Sequence, residues 1–191
     1  MVTLVAGVDE VGRGALFGPV VAAAVVLPDS AHEPLRALGV TDSKALSALH
    51  RQRLVKPIQS LATTYALGMA SVQEIDRLNI LQATLLAMTR AIEHLAPRPD
   101  LCLVDGSQPI PQLDVAQQTV VQGDQHHLEI AAASILAKVW RDQLMVRLDR
   151  RYPGYGLATN KGYGSVYHRQ ALKTLGPSPQ HRRSFRGCQG T

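Results

Sequence analysis

The sequence predicts an α/β fold in which helices cover the faces of a mixed sheet. Two observations indicate this class. Short apolar runs rich in β-branched residues come first as a group, and helical stretches alternate with similar runs later in the chain. Five runs predict strands, at residues 4–8, 20–27, 63–71, 101–104 and 115–122. The first two predict a pair joined by a structured loop.

The stretches between the strands predict helices. A capping residue, Asp42 or Ser43, begins a helical stretch that we expect to be interrupted near Pro57. Apolar residues at spacings of three and four predict one helix from residue 72 to residue 95. A long helix and a short helix are predicted at residues 128–152 and 166–175.

Composition sets the broad class of protein. With 191 residues, 46% hydrophobic and 18% charged, the chain suits one globular domain and is not disordered. Its longest apolar stretch is too short and too broken to span a membrane, and the N-terminus lacks the basic segment of a signal peptide. Cys102 and Cys188 lie far apart, so a reducing cytoplasmic location is expected.

Charge is distributed unevenly along the chain. Residues 1–137 carry nine basic and 13 acidic side chains, whereas residues 138–191 carry 11 basic and two acidic. Six of the eight aromatic residues also lie in this second segment. Cations interleaved with aromatic rings favour a nucleic-acid surface, although a solvated helix face has the same composition.

Four acids follow three predicted strands. Asp9 and Glu10 follow the first, Asp105 ends the fourth, and Asp124 follows the fifth. Parallel strands would bring Asp9 and Asp105 to the same edge of the sheet. Taken singly, Asp124 could be a helix N-cap, Asp105 a turn residue and Glu10 a solvated side chain.

A cluster of these acids would require cations. At about 4 Å, each carboxylate pair costs on the order of 4 kcal/mol at an effective dielectric constant near 20. Oxygen donors without nearby His or Cys favour Mg²⁺ or Mn²⁺ over zinc. Two such ions would suit phosphodiester cleavage, in which one activates water and the other stabilises the leaving oxygen.

A glycine turn, Gly12-Arg13-Gly14, directly follows the first acids. It could be a tight connection or a phosphate cradle, and neither a P-loop nor a full GxGxxG pattern is present. Small residues around a cation would let a nucleic-acid backbone come close.

Motifs along the whole chain resemble the ribonuclease HII family. They are "AGVDEVGRG", "DSKAL", "LNILQATLLAMTRA", "LVDG", "GD…IAAASILAKVWRD", "YPGYG…NKGYGSVYH" and "GPSPQHRRSF". The resemblance implies a ribonuclease H-like, mixed five-stranded sheet flanked by helices, with a small helical C-terminal part. It implies one catalytic domain over residues 1–191, in which residues 152–191 form a basic substrate-binding part.

The implied activity is metal-dependent cleavage of the RNA strand of RNA/DNA hybrids. It includes nicking 5′ of single ribonucleotides in duplex DNA, which leaves 3′-hydroxyl and 5′-phosphate ends and serves removal of misincorporated ribonucleotides and RNA primers. The resemblance implies that the catalytic metal ligands are Asp9, Glu10, Asp105 and Asp124. It also implies that Gly12, Arg13 and Gly14 read the backbone and that Tyr163 senses the RNA-to-DNA junction.

Further substrate contacts are plausible at cationic side chains. Lys44 is either a phosphate contact or a surface residue, and His168, Arg182 and Arg183 are either phosphate contacts or solvated. Tyr163 could instead pin its own loop to the body of the protein.

Some positions depart from the family pattern. Ala15 replaces a common proline, Gln122 a lysine, Gln125 a serine and Asn160 a histidine. These changes bear on the hydrogen bonds around Asp124 and on substrate contacts near Asn160. The tail at residues 185–191 lacks the paired aromatics of a sliding-clamp peptide, and a monomer is expected.

Three functions are compatible with the residues taken alone. They are a metal-dependent hybrid nuclease, a nucleic-acid-binding module without catalysis, and a nucleotide-dependent phosphotransferase. The intact acids argue against the second function. The missing P-loop lysine argues against the third.

Overall fold

The computed structural model describes residues 3–188 and contains a five-stranded mixed sheet. The strands are β1 (Val5–Val11), β2 (Val20–Val26), β3 (Thr64–Ala70), β4 (Leu101–Asp105) and β5 (Ala116–Val120). Their order across the sheet is β3, β2, β1, β4, β5. β2 is antiparallel to both β1 and β3, whereas β4 is parallel to both β1 and β5. The mixed sheet and the five predicted strands are confirmed.

Helices flank this sheet. Those of the described residues are α1 (Asp29–Ala37), α2 (Ala48–Leu61), α3 (Val72–Leu78), α4 (Ile80–Glu93), α5 (Gly123–His126), α6 (Leu128–Arg151), α7 (Leu157–Asn160) and α8 (Val166–Leu175). The long helix and the short helix near the C-terminus are confirmed. The sequence pattern missed α1, a short helix that contains Pro34.

Two helix predictions are wrong in detail. The helix expected over residues 72–95 is broken at Asn79, which has a φ of 74° and accepts a hydrogen bond from the Gln82 amide as the cap of α4. α2 begins after Ser47, whose hydroxyl accepts from the His50 amide, and it continues through Pro57. Neither expected cap, Asp42 or Ser43, caps α2: Asp42 accepts from the Lys44 amide in a local turn, and the Ser43 hydroxyl lies 2.8 Å from that of Ser134.

The core lies on both faces of the sheet. Alternate residues of β2 face opposite sides, so Ala22 and Ala24 contact the layer that contains α4, and Ala23 and Val25 contact the layer of α1, α2 and α6. Gly7 lets α6 approach β1, because a Cβ at that position would lie 2.2 Å from the backbone of Glu129. The start of α6 is therefore held directly against the central strand.

A smaller apolar cluster joins the C-terminal region to the loop after β1. It consists of Phe17, Met145, Tyr155, Leu157 and Ala171. This cluster places the segment around α7 and α8 beside the end of the sheet at which β1 and β4 finish.

Candidate active site

Strand register brings two of the predicted acids together. β1 and β4 run parallel with Val8 beside Val104, so Asp9 and Asp105 are the next residues along the two strands. β1 itself continues to Val11 through its pairing with β2, so Asp9 lies where the pairing with β4 ends rather than at the strand terminus. Asp9, Glu10 and Asp105 each offer a carboxylate oxygen within 4.8 Å of the others.

Backbone amides orient two of these carboxylates. Asp9 Oδ1 accepts a hydrogen bond of 2.7 Å from the Glu10 amide, and Asp105 Oδ1 accepts one of 2.7 Å from the Gly123 amide. The second contact ties the end of β4 to the segment that leads into α5. The carboxylates of Asp9 and Asp105 are therefore held in place by backbone amides next to the strand ends.

The cluster concentrates negative charge in a desolvated place. Burial, followed by repulsion from Glu10 and Asp105, raises the pKa of Asp9 well above its usual value, although a hydrogen bond with Ser134 acts in the opposite direction. Burial also raises the pKa of Glu10, against the attraction of Arg13, whose Nη1 lies 3.4 Å from Glu10 Oε1. The protein alone does not balance these charges, so the site favours a cation.

Asp124 lies beside the three acids but outside their tight group. It is 5% exposed in α5, and burial, followed by repulsion from Asp42, raises its pKa. The alternative that Asp124 caps the long helix is wrong, because the capping position of α6 is His127, and that of the short α5 before it is Gln122. Lys44 Nζ lies 3.7 Å from Asp124 Oδ2.

Lys44 belongs to this edge of the molecule rather than to a helix surface. It lies in the turn before α2 and is 84% exposed. Although desolvation lowers the pKa of Lys44, attraction by Asp124 and Asp9 outweighs it and raises the pKa. Its ammonium group therefore extends from the acids toward solvent.

The glycine turn (residues 12–14) follows the acids and is open to solvent at its tip. Gly12 has a φ of 92°, and a Cβ there would lie 2.2 Å from Nε of Arg141. Arg13 and Gly14 are exposed, and a Cβ at Gly14 would meet nothing within 4 Å. A ligand can therefore approach the backbone of Gly14 without meeting a side chain.

The tyrosine loop (residues 160–164) packs beside the glycine turn. The Leu16 amide donates to the Gly162 carbonyl at 2.8 Å, which links the loop to the chain just after the turn. Tyr163 is half-buried, and its ring centre lies 5.6 Å from Cζ of Arg141 and 6.0 Å from Nζ of Lys138. Tyr163 and the glycine turn therefore share one side of the site.

Asn160, one of the departures, holds this loop. Its amide nitrogen donates to the Tyr155 carbonyl at 2.7 Å, and its amide oxygen accepts from the Gly162 amide at 2.8 Å. Of the other departures, Ala15 is buried, and Gln122 and Gln125 are exposed around α5. Asn160 therefore shapes the tyrosine loop through bonds to its backbone.

Two of the predicted phosphate contacts need correction. The His168 and Arg182 side chains are fully buried, so neither can reach a phosphate in this structure. Arg182 donates to the carbonyls of Gly18 and Arg13, at 2.9 and 2.7 Å. His168 Nδ1 lies 2.9 Å from the Tyr163 carbonyl. Both side chains support the loops around the site, whereas Arg183 is exposed and its phosphate contact stays a prediction.

Sequence reasoning missed three buried polar residues behind the site. The Ser134 hydroxyl lies 2.8 Å from that of Ser43, and Ser134 acts to lower the pKa of Asp9. Arg141 is fully buried beneath the glycine turn and the tyrosine loop. The available signal was a polar residue on the apolar face of a long helix, which Ser134 and Arg141 both are.

Known proteins match this chain over almost its whole length. The family model described as Ribonuclease HII matches residues 6–188. The chain belongs to the ribonuclease HII family. The ribonuclease HII of Acaryochloris marina is 67% identical over 187 residues, covering 98% of this chain and 94% of the relative. That of Synechococcus elongatus is 61% identical over 181 residues, covering 95% and 84%.

A solved structure of similar shape supports the same assignment. Ribonuclease H2 from Pyrococcus horikoshii matches with a TM-score of 0.81 and 27% identity, covering 98% of this chain and 96% of that chain. The ribonuclease H-like fold that the sequence motifs implied is therefore confirmed.

Proposed function

We propose that Asp9, Glu10, Asp105 and Asp124 hold two divalent cations, Mg²⁺ or Mn²⁺, for cleavage of RNA next to DNA. As a member of the ribonuclease HII family, the chain is a metal-dependent endoribonuclease that cleaves the RNA strand of RNA/DNA hybrids. The observation that carries the residue assignment is the cluster of three carboxylates with oxygens within 4.8 Å of one another. Asp124 lies beside them as a fourth donor.

The donor set fits a hard divalent cation. All four groups are carboxylates, which Mg²⁺ and Mn²⁺ prefer. The nearest cationic side chains, Arg13 and Lys44, are 51% and 84% exposed, so solvent weakens their compensation of the buried acids. The chemistry that bound divalent ions supply is activation of the nucleophile and neutralisation of charge on the leaving oxygen.

The protein itself contributes rigid placement of the donors. Asp9 and Glu10 lie on the central strand, Asp105 ends its parallel neighbour, and Asp124 lies in the short helix that follows β5. The backbone amides of Glu10 and Gly123 fix the aspartates of β1 and β4. Donors on regular elements keep their spacing when substrate binds.

The proposed substrates include duplex DNA with one embedded ribonucleotide. Cleavage on the 5′ side of the ribonucleotide would leave a 3′-hydroxyl and a 5′-phosphate. The open backbone at Gly14 supports contact with the 2′-hydroxyl that marks a ribonucleotide. The Tyr163 ring, on the same side of the site, suits stacking on the next deoxyribose, where a second 2′-hydroxyl would obstruct it. Removal of misincorporated ribonucleotides and RNA primers is the corresponding cellular role.

The organisation of the chain supports this substrate. We assign one catalytic domain to residues 1–191, with residues 152–191 as a basic substrate-binding part. The smaller apolar cluster around Phe17 supports this assignment, because it packs the C-terminal part beside the end of the sheet that carries the acids. A monomer without a sliding-clamp peptide in the tail stays a prediction, and residues 189–191 of that tail lie outside the described residues.

The cellular location also stays a prediction. Cys102 and Cys188 are free and buried, and burial raises the pKa of each thiol to about 11, so both are unreactive thiols. No helix within residues 3–188 is both long and apolar enough to cross a membrane. The cysteines are in keeping with the cytoplasmic location that their spacing predicts.

A nicking assay tests the proposal. Duplex DNA with one ribonucleotide, the same duplex with an all-RNA strand, and all-DNA duplex are incubated with Mg²⁺, with Mn²⁺ or with chelator. We expect metal-dependent cleavage of the first two substrates only, with a nick 5′ of the single ribonucleotide. Cleavage that survives chelation would contradict the metal assignment, and cleavage of the hybrid alone would contradict the junction substrate.

Tyr163→Ala tests the junction contact. Because stacking on an aromatic ring is worth about 1–3 kcal/mol, we expect about a tenfold or larger loss at the single ribonucleotide and a smaller loss on the hybrid. Tyr65→Ala, at an exposed tyrosine of the edge strand β3, is the matched control. Equal losses on both substrates together with a lower melting temperature would assign Tyr163 a structural role instead.

A further inference from the structure

One buried guanidinium connects the two loops that flank the acids. Arg141 of α6 is fully buried, and its three nitrogens donate to three backbone carbonyls. Nε donates to Pro19 at 3.1 Å and Nη2 to Phe17 at 3.0 Å, both on the segment that leaves the glycine turn. Nη1 donates to Lys161 at 2.9 Å, within the tyrosine loop.

The same side chain touches the parts of each loop that face the substrate. Its Nε lies 2.2 Å from the position that a Cβ of Gly12 would take, so the arginine fills the space beneath the turn. Its Cζ lies 5.6 Å from the centre of the Tyr163 ring. Arg141 therefore contacts both proposed elements of junction reading and is held on a long helix packed against the central strand.

Arg141 makes directional hydrogen bonds to neutral groups, and no negative charge of the described residues neutralises its guanidinium. Within residues 3–188, no carboxylate lies within salt-bridge distance of Arg141, and its partners are carbonyl oxygens alone. A planar guanidinium fixes three acceptors in one geometry, which a lysine ammonium on a flexible stem does not. Burying a charge in this way costs free energy, so a purely apolar filler would serve packing better.

We propose that Arg141 is a positioning residue that sets the spacing between the glycine turn and Tyr163, and thereby the selectivity for an RNA-to-DNA junction. This inference rests on the proposed roles of the turn and of Tyr163. Reading a junction requires the 2′-hydroxyl contact and the ring to lie one nucleotide apart. A misplacement of about 1 Å between such groups costs up to about 100-fold in rate.

Arg141→Lys and Arg141→Gln test the proposal. The lysine keeps the positive charge and the glutamine removes it, but both lose the three-way bonding. The measured quantity is the ratio of kcat/KM on the single-ribonucleotide duplex to kcat/KM on the all-RNA hybrid. Because both rates come from the same preparation, a partly unfolded sample leaves this ratio unchanged. We expect the ratio to fall about tenfold in both variants.

A stability control separates positioning from general loss of packing. Leu35→Ala removes a fully buried side chain of α1, in the core layer of α1, α2 and α6 to which neither Arg141 nor Tyr163 belongs, and also lowers stability. We expect it to leave the ratio at the wild-type value. In a Tyr163→Ala background, Arg141→Lys should lower the ratio little further, because both changes remove the same contact.

Three outcomes would overturn the inference. An unchanged ratio in Arg141→Lys and Arg141→Gln, while Tyr163→Ala still lowers it, would remove Arg141 and leave the proposed function intact. Failure of both Arg141 variants to fold even at low temperature would assign the residue a structural role alone. Absence of any effect of Tyr163→Ala on the ratio would remove the junction assignment, and the inference with it.

Discussion

The acidic edge of the sheet and the basic C-terminal region treat their charges in opposite ways. At the sheet edge, three carboxylates offer oxygens within 4.8 Å of one another, and the cations nearby, Arg13 and Lys44, approach the acids but are largely exposed to solvent. In the C-terminal region, Arg141 and Arg182 are fully buried and bonded to backbone carbonyls. The first region needs a ligand from outside, whereas the two arginines of the second donate to the protein's own backbone, and among their nitrogens only Nη2 of Arg182 has no partner within residues 3–188.

This difference limits what net charge reveals about function. The surplus of basic residues after position 137 predicts a phosphate-binding surface, yet two of its arginines serve the interior. Whether an arginine binds phosphate or supports the interior depends on the groups that surround its side chain, and the sign of its charge does not distinguish the two roles. Changes at the acidic edge should therefore abolish activity and spare the fold, whereas changes at the buried cations should alter stability or loop geometry.

Asp9→Asn is the strongest test of the acidic edge. We expect turnover to fall by about 1000-fold or more, because several kcal/mol of transition-state stabilisation depends on metal placement. The metal-free melting temperature should stay equal or rise, since the raised pKa of Asp9 shows that its charge is unfavourable in the fold. Nicking assays and calorimetry without metal check this, and near wild-type turnover would contradict the metal assignment.

Two buried histidines offer a test of the C-terminal region. His168 Nδ1 lies 2.9 Å from the Tyr163 carbonyl and must donate its proton there. His168 Nε2 therefore accepts from His181 Nε2 at 3.0 Å, and His181 Nδ1 accepts from the Ser178 amide at 2.9 Å. This chain of bonds requires both rings to be neutral, and a proton added to either ring removes an acceptor.

Acid should therefore weaken this region. Burial, followed by repulsion from His168, lowers the pKa of His181 to about 4, and burial also lowers the pKa of His168. An unfolded histidine takes up its proton near pH 6.5, so the unfolded state binds more protons between about pH 6.5 and pH 4. The contribution is present above this range and is lost as the pH falls through it, on the order of 3 kcal/mol for His181.

The acidic edge titrates in the opposite sense. The raised pKa of Asp9 and Glu10 means that the folded state gains protons there and is stabilised as the pH falls. The measurement is therefore urea unfolding at pH 7 and pH 5, compared between the wild type, His181→Gln and the exposed-histidine control His94→Gln. We expect His181→Gln to lose acid sensitivity relative to the other two, and equal acid sensitivity in all three would contradict the assignment.

Arg183→Ala should have the smallest effect. Arg183 is exposed next to the buried Arg182, and one lost phosphate contact lowers the slope of log K against log salt by about one. Binding of a metal-free, catalytically inactive Asp9→Asn protein to hybrid at several salt concentrations measures this slope. Arg98→Ala, at the opposite end of β4 from Asp105, should leave the slope unchanged. An unchanged slope in Arg183→Ala would make that arginine merely solvated.

Local patterns predicted much of the architecture. Alternating and β-branched residues predicted five strands, and the acids that follow three of these strands were predicted to lie near strand ends. Both predictions succeed because each depends only on residues that are neighbours in sequence. The break at Asn79 escaped prediction, since α3 and α4 pack on the same apolar layer and keep one continuous periodicity across the break. The chain therefore specified element type more reliably than element boundary.

The sequence by itself determined the composition of the acidic edge and, through its motifs, the family. Only the tertiary structure decided that Asp9 lies beside Asp105, because this depends on β1 and β4 being parallel neighbours in a defined register. It also decided that Arg141 and Arg182 are internal, since their acceptors on residues 13–19 are more than 100 positions away. Burial of a charge depends on distant carbonyls, and no local pattern of residues records where those carbonyls lie.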